Sequence, residues 1–558
     1  MTMKKLKKMA AFGTALTMLV VTLAGCGSKG ANANEESSSK PAETETQKAT
    51  EKTEETAKAT EKTEETAKVE FSYPMEGGKS VTIFSMRRDV YEKAGLEKIS
   101  DSKFAAAATE ATGIGVEYVH PSATSAKEAF TLYVTNGEYT DIMELNTSYY
   151  AGGVEALYED GVIIPLKDVI DQYMPNVKAW MEANPKDAEN FYSPDGEIYM
   201  LPYILETPEQ AYTTGLHLRQ DWLDELGFEV PTTLDDWHEV LTAFKESKGV
   251  IPYTTAGEYL TNGGGFGQAF VPEIGIIVNP ETGKIAYGRA LDAYREYLTL
   301  LHEWNEEGLI DPDAVSLDAN TAKAKIASGE AGASWGWTSD MDYADIPLVA
   351  APAPQKEAGA EHYSRPGNRV NVGWVGCITT QCEDVEAAAR YLDYFYGEEG
   401  KMLANYGIEG ESYEMVDGKP VFTDLVMKNP EGIAPGTVKA NYTRVGGYPG
   451  FKTFESATGT LLTQAAKDSY EIWSAGEPDF RVINAVKPSL DQQERATEIS
   501  TELDTYCKEM SAKFFLGTLD ITDDAVWTEY VDTMKIMGVE ELVEIYQNAY
   551  DAFYAKLN

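Results

Sequence analysis

Val230-Pro231-Thr232-Thr233-Leu234-Asp235-Asp236-Trp237, continuing through Leu241 to Phe244, is a complete helix entry. A proline precedes a threonine that can cap the first turn. The apolar residues behind it, Leu234, Trp237, Leu241 and Phe244, recur at spacings of three and four, which places them on one helix face. Leu291, Tyr294, Leu298 and Leu301 form a second such stripe, and Val385, Ala389, Leu392 and Phe395 a third. These stripes predict core. Between them lie short β-rich runs, the first at Val81-Thr82-Ile83-Phe84 and others at 115–119, 141–145, 276–278, 331–335, 346–350 and 372–379. Strands alternating with helices predict an α/β architecture. The last stretch, from about residue 490 to 558, reads as mostly helical.

The chain has 558 residues, enough for three or four domain-sized units or two large lobes. A hydrophobic share of 43% and 33 tyrosines argue for a large folded core. Lys and Arg number 47 against 91 Asp and Glu, a net charge of −44. Nucleic-acid binding rests on basic surfaces, so that charge argues against it, and equally against electrostatic attachment to anionic lipid. The four cysteines, Cys26, Cys377, Cys382 and Cys507, show no CxxC pair and no Cys/His metal spacing. The last three read as small buried apolar side chains.

Lys4, Lys5, Lys7 and Lys8 precede an apolar run from Met9 to Thr22, then Leu23-Ala24-Gly25-Cys26. A charged region, an apolar region too short to span a bilayer and small residues at the cleavage point make residues 1–25 a secretory signal. The Cys-terminated run resembles the lipobox of bacterial lipoproteins, which implies a lipid on Cys26. The mature chain would lose four lysines and stand near −48. Lys48 to Ala57 is repeated residue for residue as Lys58 to Ala67, and residues 27–68 hold no Val, Ile, Leu or aromatic. Such a segment cannot offset its ordering entropy. Residues 26–70 therefore read as a lipidated tether with a reach of roughly 35–40 Å.

Catalytic signatures fail one by one. His302-Glu303-Trp304-Asn305-Glu306 lacks the second His of HExxH, and Gly77-Gly78-Lys79-Ser80 lacks the first glycine of a P-loop. Gly263-Gly264-Gly265-Phe266-Gly267 reads as a loop, and Asp311-Pro312-Asp313 starts like a calcium loop but fails at Val315. The absence of these signatures counts against an enzyme, and the sequence offers no cofactor motif and no metal site.

Leu218-Arg219-Gln220-Asp221-Trp222-Leu223-Asp224-Glu225-Leu226-Gly227, followed by Val230-Pro231-Thr232-Thr233, resembles a block of the extracellular solute-binding proteins of bacterial ABC importers. The likeness is to family 1 and its LipO-like, oligosaccharide-binding branch. Glu307-Gly308-Leu309-Ile310-Asp311-Pro312, Tyr406-Gly407-Ile408-Glu409-Gly410 with Asp417-Gly418-Lys419-Pro420, and residues 527–551 resemble further blocks. The resemblance implies a two-lobed, type II periplasmic-binding-protein-like fold that closes over a ligand. It implies an N-terminal lobe of residues 71–202 plus 350–440 and a C-terminal lobe of 203–349 plus 441–558. Crossings are expected near 200–203 and 348–352. The implied partners are an oligosaccharide and ABC permease subunits, for a monomer lipid-anchored outside the bacterial cell membrane. A binder of a peptide or other solute, or a surface hydrolase, is the alternative.

A carbohydrate site needs aromatic platforms for C–H faces and planar polar groups for hydroxyl edges. Trp335 and Trp337 resemble the segment that supplies a stacking tryptophan in maltose-type binders. Asn146, Tyr149 and Tyr150 follow a strand whose counterpart in relatives meets ligand, and Tyr203 and Glu206 follow the first crossing. Arg87, just past the first strand, faces either the cleft or a surface ion pair. Tyr442 and Tyr448 lie in a glycine-rich loop. Trp222 is assigned to the core.

Overall fold

The Thr233 entry forms as read. Its hydroxyl accepts the Asp236 N–H at 3.1 Å and the Asp236 carboxylate accepts the Thr233 N–H at 2.9 Å, a reciprocal capping box. The helix Leu234–Ala243 buries Leu234, Trp237, Val240 and Leu241, and the chain then widens into a π turn, Phe244–Lys248, that stops at Gly249 in the left-handed region. Asp292–Glu306 and Val385–Tyr394 bury the other two stripes. Trp222 lies at the core's rim, half-buried edge-on to Phe244 with the Arg219 guanidinium 4.5 Å from its ring.

The computed structural model describes residues 72–557, apart from 122–124, 343–345, 455, 457–461, 477–479 and 484. The signal, Cys26 and the tether lie outside the described residues. Within them come β1 (Lys79–Phe84), β2 (Ile114–Val119), β3 (Ile142–Asn146) and β4 (Leu201–Leu205). Next are β5 (Thr214–Arg219), β6 (Ile251–Thr254), the pair β7 (Ile276–Val278) and β8 (Ile285–Tyr287), β9 (Ala331–Trp337) and β10 (Leu348–Ala351). β11 (Val370–Ile378), the hairpin β12 (Tyr413–Val416) and β13 (Lys419–Phe422), and β14 (Gly450–Lys452) complete the set. Two large sheets result, one in the order β14-β4-β11-β3-β1-β2 and one in the order β10-β5-β9-β6.

Each sheet carries its own core. Ile83, Phe104, Ile142, Leu201 and Tyr391 pack on one side of the six-stranded sheet, and Phe84, Met143, Leu145, Val375 and Cys377 on the other. Leu216, Trp237, Tyr253, Phe266 and Trp304 fill the main core beside the four-stranded sheet. The helices Leu490–Phe515, Asp524–Ile536 and Val539–Leu557 join that core through Leu503, Tyr530 and Leu542. Mixed strands with helices on their faces give the α/β fold that the alternation predicts, in the two lobes that the resemblance implies.

The lobe boundaries differ from expectation. Residues 201–205 are a full strand, paired with β11 on one side and β14 on the other, so their backbone groups are occupied and cannot serve as a free linker. The crossings instead run through 206–213 and 352–369. Residues 350 and 351 stay with the four-stranded sheet, paired with His217 and Leu216. Residues 441–452, expected in the second lobe, pack with the first: Val445 and Tyr448 belong to its core, and β14 is its edge strand.

Candidate functional site

The register of the sheets fixes where a ligand can meet both lobes. β3 ends at Asn146 opposite Trp374, near the start of β11, where segment 352–369 arrives. β4 ends at Leu205, where segment 206–213 leaves. In the other sheet β9 ends at Trp337 opposite Thr214, where 206–213 arrives, and β10 ends at Ala351, where 352–369 departs. The facing ends of the two sheets are thus the ends next to the crossings, the usual place for a ligand in an α/β fold.

On the second lobe, Trp337 stands at that end. It is 46% exposed, an unusual state for a tryptophan, whereas Trp335 is 6% exposed and belongs to the core. Trp337 is held from below and from the side. Its backbone N–H donates to Asp340 Oδ2 at 2.8 Å, Lys323 Nζ donates to Asp340 Oδ1 at 2.6 Å, and the indole N–H donates to the Tyr259 hydroxyl at 3.0 Å. Gly336 lets this happen, because a Cβ there would overlap the Asp340 carboxylate and come within 2.9 Å of the buried His217 ring. Burial holds the His217 imidazole below its usual pKa. Trp335 packs beneath the loop at Gly264, part of the glycine-rich run.

On the first lobe the sequence reading found some of the residues and missed others. Asn146 caps the turn Thr147–Tyr149, its Oδ1 accepting from the Ser148 N–H at 3.0 Å and the Ser148 hydroxyl at 2.6 Å. Tyr149 meets Trp374 edge-on, ring centroids 5.9 Å apart. Tyr203 is half-buried in β4 opposite Asn371 and Gly450. Opposite Asn146 and against Tyr149 stands Trp374, which the sequence reading passed over inside a strand. Asn371 Oδ1 accepts the N–H groups of Gly373 (3.0 Å) and Trp374 (3.2 Å) at an irregularity where the pairing of β11 with β4 shifts. Such a bulge re-aims the side chain that follows it. The Trp374 indole then lies against Gly447, where any Cβ would overlap it. The Arg88 guanidinium sits 6.0 Å from its ring centroid, and the Arg88 side chain runs along Gly446. The glycine pair 446–447 and the flanking glycines 373 and 376 were the available signal, since bare backbone beside a tryptophan makes room for a flat ring.

The remaining expected residues are committed elsewhere. Arg87 Nη1 donates to the carbonyls of Leu96 (2.9 Å) and Glu97 (3.0 Å), so it is a surface anchor for its own loop. Glu206 is ion-paired with Lys401 at 3.0 Å. Tyr150 donates to Asp160, and that carboxylate with burial pushes its phenol up to about 12. Tyr442 is buried and accepts from Lys103 Nζ at 3.1 Å, on the side of the β12–β13 hairpin. Tyr448 is a core residue, its hydroxyl donating to the Ala404 carbonyl.

Beneath the first-lobe site lies a buried polar group of three. Glu144 pairs with Arg444, whose guanidinium sits 4.9 Å from the Tyr118 ring and 4.7 Å from the Tyr448 ring. Lys452 is 0% exposed, its Nζ lies over the Tyr448 ring, and it has no hydrogen-bond partner among the described residues. Burial, reinforced by Arg444, Arg88 and Lys439 and opposed by Glu144, holds Lys452 well below the usual lysine pKa. The unfolded chain therefore binds a proton that the folded one lacks. Stability is expected to rise with pH from the folded value toward the ordinary lysine pKa of about 10.4. Lys452→Met should flatten that rise and stabilise the protein at neutral pH, as read by chemical denaturation at pH 7 and pH 9.5.

Asp311, which opens the calcium-like run, is fully buried and accepts from Lys325 Nζ and Thr254 Oγ1, both at 2.7 Å. Among the described residues no group of three His, Cys, Asp or Glu could hold a metal ion, and no helix is long and apolar enough to cross a membrane. Cys377, Cys382 and Cys507 are free thiols; Cys377 and Cys507 are buried and Cys382 half-buried.

Residues 94–402 match the family model described as bacterial extracellular solute-binding protein. The chain is 23% identical over 527 residues to the fructooligosaccharide ABC transporter substrate-binding protein FusA of Streptococcus pneumoniae, covering 87% of this chain and 93% of FusA. It is 24% identical over 458 residues to lipoprotein LipO of Bacillus subtilis, covering 77% of this chain and 87% of LipO. An HMO-binding, ABC-transporter-associated solute-binding protein of Bifidobacterium longum infantis superposes with a TM-score of 0.64 at 18% identity, over 86% of this chain and 99% of that one. The family match spans more than half of the chain, and both sheets with their crossings agree with it: the chain belongs to the bacterial extracellular solute-binding proteins.

Proposed function

We propose that the protein captures an oligosaccharide between its lobes and hands it to an ABC permease. The observation that carries this reading is the pair of tryptophans at the facing ends of the two sheets, Trp337 on one lobe and Trp374 on the other, each seated by glycine. Aromatic faces take the C–H faces of sugar rings. Asn146, Asn371 and Tyr259 stand beside the platforms and would meet hydroxyl edges. Closure about segments 206–213 and 352–369 brings the platforms together, so ligand binding selects the closed form. FusA and the bifidobacterial neighbour, by their names, bind sugars of this kind, which supports extending the class to this chain. The permease would recognise the closed lobes. A lipid on Cys26 and the tether of residues 26–70 would keep the receptor at the outer face of the cell membrane, as a monomer, without catalysis.

The test is a melting-temperature screen of purified residues 71–558 against neutral and acidic oligosaccharides. A ligand at one hundred times its Kd adds about 2.7 kcal/mol of stability. A sugar that raises the melting temperature and is recovered unaltered supports the reading. A screen in which no sugar does so, or in which the sugar is hydrolysed, overturns it.

A further inference from the structure

Arg88 is the odd charge in this molecule. The chain carries 91 carboxylates against 47 basic residues, so an arginine is seldom far from an acid. Yet the Arg88 guanidinium, half-buried after β1, forms no ion pair and no hydrogen bond among the described residues. Its neighbours are a tryptophan face, a glycine and other cations: Trp374 at 6.0 Å, Gly446 against its Nε, and Lys452 close enough to feel its charge. It also reaches Tyr149 and Tyr203 electrostatically. Glu144, whose charge Lys452 also feels, is already paired with Arg444. No Arg88 nitrogen is buried without a partner, so the five donors of the fork face solvent and are free to meet a ligand. Arg87, one residue earlier, shows the ordinary outcome, with two carbonyls and Glu92 in reach.

We propose that the ligand is an acidic oligosaccharide, and that the Arg88 fork receives the carboxylate of a uronic-acid-type ring stacked on Trp374. This rests on the capture reading above and deepens it. A planar guanidinium matches a carboxylate with two parallel N–H···O bonds, and a lysine would not. The glycine at 446 is part of the device: a Cβ would stand 2.6 Å from Arg88 Nε and push the fork out of line. Because the chain as a whole repels anions, the selectivity must be local, and it should weaken as salt screens it.

The experiment compares tetragalacturonate with the neutral tetrasaccharides maltotetraose and xylotetraose, and glucuronic-acid-branched xylo-oligosaccharide with its unbranched form, by calorimetric titration. The expected result is tighter binding of the acidic member of a pair, weakening between 50 and 500 mM NaCl. Arg88→Met should lower the affinity for the acidic sugar about tenfold to a hundredfold and leave the ligand-free melting temperature in place, while Arg88→Lys recovers only part. Preference for the neutral sugars overturns the inference and leaves the capture reading standing. So does equal loss of both kinds in Arg88→Met. Binding of neither kind overturns both. The salt dependence of the unaltered protein decides the matter even if Arg88→Met does not fold.

Discussion

Trp337→Ala is expected to lower oligosaccharide affinity by at least about tenfold, with folding stability changed by no more than about 0.5 kcal/mol. The expectation follows from the exposure of the ring: it covers little of the core and its single side-chain bond goes to the Tyr259 hydroxyl at the surface. Trp335→Ala, two residues earlier in the same strand, should do the reverse. That ring is enclosed by the second-lobe core and the loop at Gly264, so its removal should cost about 3–5 kcal/mol of stability. Denaturant unfolding and calorimetric titration of the two variants, with the ligand found in the melting screen, separate the roles. If Trp337→Ala binds as tightly as the parent, the second-lobe platform is elsewhere, and the capture reading must stand on Trp374 alone.

Breaking the buried pair under the first-lobe site should have the largest effect on stability. Arg444→Leu leaves the Glu144 carboxylate enclosed without its partner and strips a cation from the Tyr118 and Tyr448 rings, a loss expected at about 3–5 kcal/mol. Glu144→Leu should cost a similar amount, since it leaves the guanidinium unpaired beside Lys452. The double replacement removes both desolvation penalties and should recover much of the loss, so the two changes should be strongly non-additive. Urea unfolding of the four proteins measures this. Additive losses would mean that the pair contributes as two independent packing groups rather than as a charge pair.

Much of the architecture was legible because helix stripes and strand runs are local. The Thr233 entry, the stripes on Asp292–Glu306 and Val385–Tyr394, and the alternation that gives an α/β fold all depend on neighbours within a few residues. The lobe boundaries were less legible, because whether residues 201–205 link two lobes or form a strand depends on β11 and β14, far along the chain. Site residues show the same division. Tyr149 and Asn146 were expected because a strand end points at a cleft in any such fold, and the structure sets both beside Trp374. The Glu206 pairing was not legible because its partner Lys401 comes from a distant helix, and of the two settings open to Arg87 the surface one is taken because its own loop folds back to meet it.

By itself, the sequence determined the class of fold and the kind of chemistry: an acidic, tyrosine-rich, α/β chain without catalytic signatures, bearing family-like blocks and tryptophans near strand ends. The tertiary structure alone decided which aromatic rings stay exposed. Trp335 and Trp337 share one strand and one side of it, and a period of two cannot say where the cover over that side stops; the loop at Gly264 covers the first and leaves the second bare. Trp374 and Arg88 come together only because Gly446 and Gly447, from the other end of the lobe, are brought flat against them. Local periodicity fixes what a segment can form, and distant packing fixes which of its side chains remain free to meet a ligand.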